Sequence, residues 1–133
     1  MDINARQYYR VAYQRYEDGV LLLGISRPAA AIYLTGYAVE CILKALLVMY
    51  TPSGQRANVL AMFRGAVGHD IDWLRERLIQ RIGRLPVGEN RHVSLVSTWS
   101  TDLRYKPGPG DPEDAEAFLA AARSILGWAN GKM

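Results

Sequence analysis

The hydrophobic positions of the chain recur at the spacing of α-helices, and no alternating strand pattern is present. Over residues 3–23, apolar side chains return every three or four positions and polar side chains occupy the others, as in an amphipathic helix. Residues 57–63 can form a short helix. Asp70 is expected to cap a helix that stops at Gly83, a further helix covers about 90–100, and a last one opens at Asp111. The pattern predicts an all-α, up-and-down bundle of about five helices.

A second helix, over residues 28–50, is apolar nearly all round and is expected to lie at the centre of the bundle. Its length alone would also suit a membrane span. Glu40 and Lys44 fall near its middle, however, and ionised groups are costly in lipid. We therefore expect a buried central helix without a membrane, with a dimer interface as a further possible environment for its apolar faces.

Composition places few limits on function. A chain of 133 residues, half of them hydrophobic, is most simply one domain over 1–133. The basic residues are mostly arginine, which suits phosphate and carboxylate groups because its planar fork binds them in a bidentate manner. The net charge is only +3, which is too small to indicate nucleic-acid binding by itself.

The single cysteine, Cys41, excludes an internal disulfide and a cysteine-based zinc site. Its apolar neighbours indicate a buried, inert thiol rather than a nucleophile. His92 has no second histidine or carboxylate at ligand spacing, so no metal site and no cofactor are expected. The first residues lack the apolar segment of a signal peptide, and a cytoplasmic location is the expectation that follows.

Glu40 and Lys44 lie four residues apart, with the carboxylate on the N-terminal side, so they can pair along one face of the helix. In so apolar a helix both side chains are expected to be partly buried, and each then needs a partner. One interpretation is an ion pair that links helices or subunits. The other makes Lys44 a phosphate ligand that Glu40 orients.

Arg64 and His69 are separated by four residues, a spacing that matches the R-x4–6-H pattern of metal-independent ribonucleases. A histidine can act as general acid or base for attack by a ribose hydroxyl, while an arginine stabilises the charge on phosphorus. Arginine is frequent here, so the spacing also arises readily by chance. Gly65 and Gly68 are expected to make the intervening loop soft, and a structural histidine is the alternative.

Arg104 and Tyr105 stand just before a segment rich in proline and glycine. Arg104 can reach back to a carboxylate such as Glu40 or to a ligand phosphate. Tyr105 can stack on a base or pack against the bundle. Together with Asp70, these residues complete the candidate set for a phosphate-binding site or a charge network.

Three segments in order resemble a HEPN domain: Ala38-x-Glu40 followed by Leu43-Lys44-Ala45-Leu46-Leu47, then Gly68-His69-Asp70-Ile71-x2-Leu74, then Arg104-Tyr105. The resemblance implies a dimerising helical bundle, often paired with a minimal nucleotidyltransferase and connected with nucleotide binding, toxin–antitoxin pairs or RNA cleavage. Matching family positions are Glu40, Lys44, His69, Arg104 and Tyr105. Ile71 stands where the catalytic branch carries an aromatic residue.

Three functional hypotheses follow from these observations. The first is a homodimeric HEPN protein that binds a nucleotide, RNA or a nucleotidyltransferase partner in a toxin–antitoxin-like system. The second is a metal-independent endoribonuclease toxin that uses Arg64 and His69. The third is a non-catalytic adaptor that dimerises through the apolar central helix.

Overall fold

The computed structural model describes the backbone of residues 1–133 and every side chain except that of Arg104. Its backbone forms six α-helices and no strand. They are α1 (Ile3–Gly24), α2 (Pro28–Met49), α3 (Arg56–Met62), α4 (Ile71–Ile82), α5 (Val87–Val96) and α6 (Pro112–Asn130). Short 3-10 helices cover Ser53–Gln55, Ala66–His69 and Thr101–Tyr105. The all-α class is confirmed, and the expected count of about five rises to six because the short segment after α2 is a helix.

Local capping explains most of the helix boundaries. Asp2, Asp70 and Asp111 each accept a hydrogen bond from a backbone N–H in the first turn of α1, α4 and α6, respectively. Gly83 ends α4 with a φ of 84°, a left-handed conformation that favours glycine. α5 begins three residues before the predicted position, because it follows directly on Pro86, whose backbone is extended.

α2 lies at the centre and packs against α1, α4 and α6. Every residue in 38–48 is buried, including Glu40 and Lys44. By length and composition this helix could cross a membrane, but 72% of its most apolar window is buried inside the bundle. Its hydrophobicity is therefore accounted for by contacts within the chain, as expected for a core helix.

Arg56 holds the start of α3 against the end of α2. Its Nε donates hydrogen bonds to the carbonyl oxygens of Val48 and Thr51, at 3.1 and 3.0 Å. Late carbonyl groups of a helix have no partner within the helix, so this contact satisfies one of them. It also fixes the direction of the chain that leads to Phe63 and the candidate site.

The segment after α5 is fixed to α2 by Trp99. The indole Nε1 donates a hydrogen bond to the carbonyl oxygen of Tyr33 at 3.0 Å. A Cβ atom on Gly36 would overlap the indole ring, so glycine is needed for this close approach. Trp99 packs in turn against Tyr37 in an edge-to-face contact, with ring centroids 4.8 Å apart. Tyr37 thereby becomes one wall of the candidate site.

Candidate functional site

Glu40 is the centre of a buried charge network. One carboxylate oxygen accepts a hydrogen bond from Lys44 Nζ at 2.8 Å, and the other lies 2.9 Å from His69 Nδ1. The Glu40 side chain is 4% exposed, whereas that of His69 is 49% exposed. The network therefore connects the middle of the core helix to a residue at the protein surface.

The Lys44 ammonium is enclosed on its remaining sides. It lies over the rings of Tyr8 and Phe63, at 5.6 and 5.2 Å from their centroids, and its side chain is 6% exposed. Such cation–π contacts stabilise a cation that has lost its water. In this arrangement Lys44 neutralises Glu40 and is not accessible to a phosphate group. Of the two interpretations of this pair, the geometry favours the ion pair, which joins α2 to the 3-10 helix Ala66–His69 through Glu40.

His69 is placed by a rigid turn. It ends the 3-10 helix Ala66–His69 and is followed by Asp70, which caps α4 by accepting a hydrogen bond from Trp73 N at 3.1 Å. Gly68 is buried, and a Cβ atom there would overlap the backbone carbonyl of Phe63. Glycine at position 68 therefore permits a close backbone contact, and the softness of the loop stays a prediction.

Replacing Gly68 with alanine is expected to lower the free energy of unfolding by about 1–3 kcal/mol, because the new methyl group must displace the Phe63 backbone. Gly65 in the same loop provides a matched control, since a Cβ there would lie 3.8 Å from the nearest atom, the Met62 carbonyl oxygen. Urea denaturation of Gly68→Ala and Gly65→Ala tests this. Equal stability of the two variants would contradict the close packing at Gly68.

The Glu40–His69 contact defines the state of the imidazole. A carboxylate can only accept hydrogen bonds, so Nδ1 carries the proton and donates a hydrogen bond to Glu40. In the neutral ring Nε2 is then a hydrogen-bond acceptor. The Tyr37 ring meets the imidazole edge to face, with the two ring centroids 6.3 Å apart. An oriented, half-exposed imidazole of this kind can accept a proton from a bound hydroxyl group.

Arg64 is close enough to the network to influence the pKa of Tyr8. Burial is the main cause that raises the pKa of Tyr8, and the neighbouring Cys41 and Glu40 raise it further, whereas the positive charge of Arg64 lowers it. Tyr8 is thus within electrostatic range of both Glu40 and Arg64. Arg64 itself is exposed just after α3. Arg64 directly follows Phe63, whose ring contacts Tyr8 and lies under the Lys44 ammonium, so its backbone lies close to the network.

The remaining candidates have other environments. Asp70 serves as a helix cap. Tyr105 is 73% exposed, and the Arg104 side chain lies outside the described residues. Cys41 is buried, and burial raises the pKa of its thiol to about 12, which agrees with an inert thiol. Among the described residues, no group of three or more histidine, cysteine, aspartate or glutamate side chains is arranged to hold a metal ion.

Sequence reasoning missed the aromatic residues that enclose the network. Phe63 and Tyr37 gave no signal of their own, and Tyr8 was visible only as one member of the apolar stripe of α1. Their role depends on how α1, α2 and α3 pack together. A tyrosine facing the Glu40 side of α2 could be recognised only once that packing was known.

The fold and the site together define a helical-bundle protein with a buried glutamate–lysine pair that orients a surface histidine. The HEPN domain family model matches residues 5–132, nearly the whole chain. The chain therefore belongs to the HEPN domain family, which supports a nucleotide- or RNA-related role in general terms. No curated protein and no solved structure matches the chain.

Proposed function

We propose that this HEPN protein binds a nucleotide or RNA through Arg64 and His69, as the cytoplasmic component of a toxin–antitoxin-like or nucleotidyltransferase-associated system. The observation that carries the proposal is a half-exposed histidine held by a buried ion pair, with the exposed Arg64 directly after Phe63, whose ring packs on that pair. Family membership supplies the general class of ligand.

The physical basis is the complementarity of this surface to phosphate. The Arg64 guanidinium can bind two phosphate oxygens at once. His69 Nε2 can contact a ribose hydroxyl or, when protonated, a phosphate oxygen. Because Glu40 and Lys44 neutralise each other, the buried network adds no net negative charge that would repel the ligand.

Isothermal titration of the protein with ATP, GTP and short single-stranded RNA tests the proposal. Arg64→Gln is expected to weaken the interaction about tenfold, because a charge-assisted contact to phosphate is lost. Arg91→Gln removes the same charge from the exposed surface of α5 and serves as control. The absence of binding to all three ligands would refute the proposal.

Co-purification with the product of a neighbouring reading frame tests the proposed nucleotidyltransferase partner.

A metal-independent endoribonuclease is the second candidate, and the hydrogen bond between Glu40 and His69 favours it. A buried carboxylate that fixes the tautomer of a histidine is a recurrent device of general acid–base catalysis. The absence of an aromatic residue at Ile71 is a departure from the catalytic pattern. Growth arrest on expression and RNA cleavage that persists in EDTA would support this candidate.

Dimer formation belongs to the proposal as well. The end of α1 exposes Leu21 and Ile25, at 69% and 68%, next to the turn into α2. By contrast, residues 38–48 of α2 are buried within the chain, so most of the surface that suggested an adaptor is not available to a partner. Light scattering at micromolar concentration provides the test, and a monomer would contradict the dimer.

A further inference from the structure

A groove lies along α4, outside the region around His69. It consists of two neighbouring cavities of about 450 Å³ each, which share Arg81. Each falls within the size range of small-ligand sites, roughly 300–1,000 Å³. The first is lined by residues of α3 and α4, among them Asn58, Met62, Trp73, Arg77 and Arg81. The second is lined by Tyr50, Arg81, Arg84, Trp128 and Lys132, among others.

The groove follows α4, the helix that begins two residues after His69. Trp73, Arg77 and Arg81 are spaced by four residues, so they form one row on α4. Trp73 is in the first turn of that helix, four residues after His69. The 12-residue helix is about 18 Å long at 1.5 Å per residue, and its far end brings Arg81 to the second cavity.

The positive charge of this groove is not neutralised by the protein. In the part of the chain that the structure describes, neither Arg77 nor Arg81 forms an ion pair, and no acidic side chain lines either cavity. Arg81 donates only to the side-chain oxygen of Gln55, a neutral group, at 3.1 Å. Arg84 and Lys132 add two further cations in the second cavity. Such a cluster of cations can attract and bind an anionic ligand.

The groove also offers flat surfaces and amide groups. The Arg77 guanidinium lies over the Trp73 ring, 5.2 Å from its centroid. Unpaired bases stack on aromatic rings and on guanidinium planes alike. The side-chain amides of Gln55, Asn58 and Gln80 line the same cavity and can pair with base edges. Aromatic rings alternating with cations along a groove are the features by which proteins bind single strands.

We propose that this groove holds the single-stranded RNA segment adjoining the nucleotide at His69, with bases against Trp73 and Arg77 and the phosphate backbone along Arg81 and Arg84. The inference rests on the proposed function, because it takes the ligand at His69 to be RNA. The groove would be a second binding site, which a single-stranded RNA can fill and a mononucleotide cannot. An acidic peptide would satisfy the cations but would leave the stacking surface and the amides without partners.

Fluorescence anisotropy with a labelled, unstructured RNA of about 12 nucleotides tests the groove. Arg77→Gln/Arg81→Gln is expected to weaken binding at least about tenfold. It is also expected to reduce the slope of log K against log[salt] by about 0.7, the contribution of the one phosphate contact that Arg81 makes to a single strand. Arg91→Gln/Arg123→Gln, on exposed positions of α5 and α6 that line neither cavity, should leave both quantities unchanged.

A mononucleotide such as ATP separates the two sites, because it occupies the site at His69 without reaching Trp73, Arg77 or Arg81. Its affinity should fall in Arg64→Gln and stay unchanged in the groove variant. If the longer RNA binds the groove variant as it binds the wild type, or if both double variants weaken it equally, the groove is refuted and the proposed function stands. If the wild type binds the mononucleotide but no RNA, the groove is refuted and the proposed function stands, whereas a wild type that binds neither refutes both proposals.

Discussion

Lys44→Met is expected to lower the free energy of unfolding by about 3–5 kcal/mol, because it leaves the buried Glu40 carboxylate without its cation. His69 alone cannot replace that cation in the neutral form, and its half-exposed ring shields only one carboxylate oxygen. The methionine side chain fills nearly the same space between Tyr8 and Phe63. The loss of stability therefore comes from the unpaired charge rather than from a cavity. Urea denaturation followed by circular dichroism measures this loss.

The double variant Glu40→Leu/Lys44→Met provides the control. Replacing a buried ion pair by apolar groups of similar volume is often neutral or stabilising, so most of the lost stability should return. His69 then loses its partner, but its exposed ring can bond to water instead. A Lys44→Met variant within about 1 kcal/mol of the wild type would contradict the buried network. A double variant as unstable as the single one would show that packing, rather than charge, dominates.

The helices were predictable because their signals are local. Periodicity located α1, α2, α4 and α6, and the predicted caps Asp70 and Asp111 gave the starts of α4 and α6 within a residue or two. The Glu40–Lys44 pair was also predictable, since four residues of separation place both side chains on one face. Each of these inferences needs only neighbouring positions in the sequence.

The link between Glu40 and His69 joins residues 29 positions apart and could not be read in the same way. It depends on α3 turning back along α2 and on Gly68 allowing the backbone of Phe63 to come close. Sequence reasoning also considered Arg104 as a partner of Glu40, and that prediction lies outside the described side chains. A glycine that permits close packing and a glycine that permits flexibility are identical in the sequence.

The groove along α4 was missed for a related reason. The pattern of α4 shows its buried stripe, including Leu74 and Leu78, but says nothing about what stands opposite its outer face. Gln55 and Asn58 face that side only because Arg56 holds α3 against the end of α2. An arginine row on a helix is ordinary in a sequence. The row becomes a candidate binding site when a second helix forms the opposite side of a groove.

His69→Asn is expected to reduce metal-independent RNA cleavage by about 10²–10⁴-fold, the usual contribution of a general acid or base. The asparagine amide can occupy the position of Nδ1 and donate the same hydrogen bond to Glu40. The buried carboxylate thus keeps both partners, and the free energy of unfolding should change by less than about 1.5 kcal/mol. What the variant lacks is Nε2, the atom that would exchange a proton with the ribose.

His92→Asn is the matched control. His92 also places its Nδ1 near a glutamate, Glu89, at 3.3 Å, but on α5 and away from Arg64. The substitution makes the same side-chain change beside a carboxylate, and it should leave cleavage in EDTA unchanged. Equal cleavage by His69→Asn and the wild type would rule out His69 as the proton-transfer group. A wild type that cleaves no RNA would refute the ribonuclease candidate, and the same His69→Asn protein, titrated with short RNA, would then measure how much His69 contributes to binding alone.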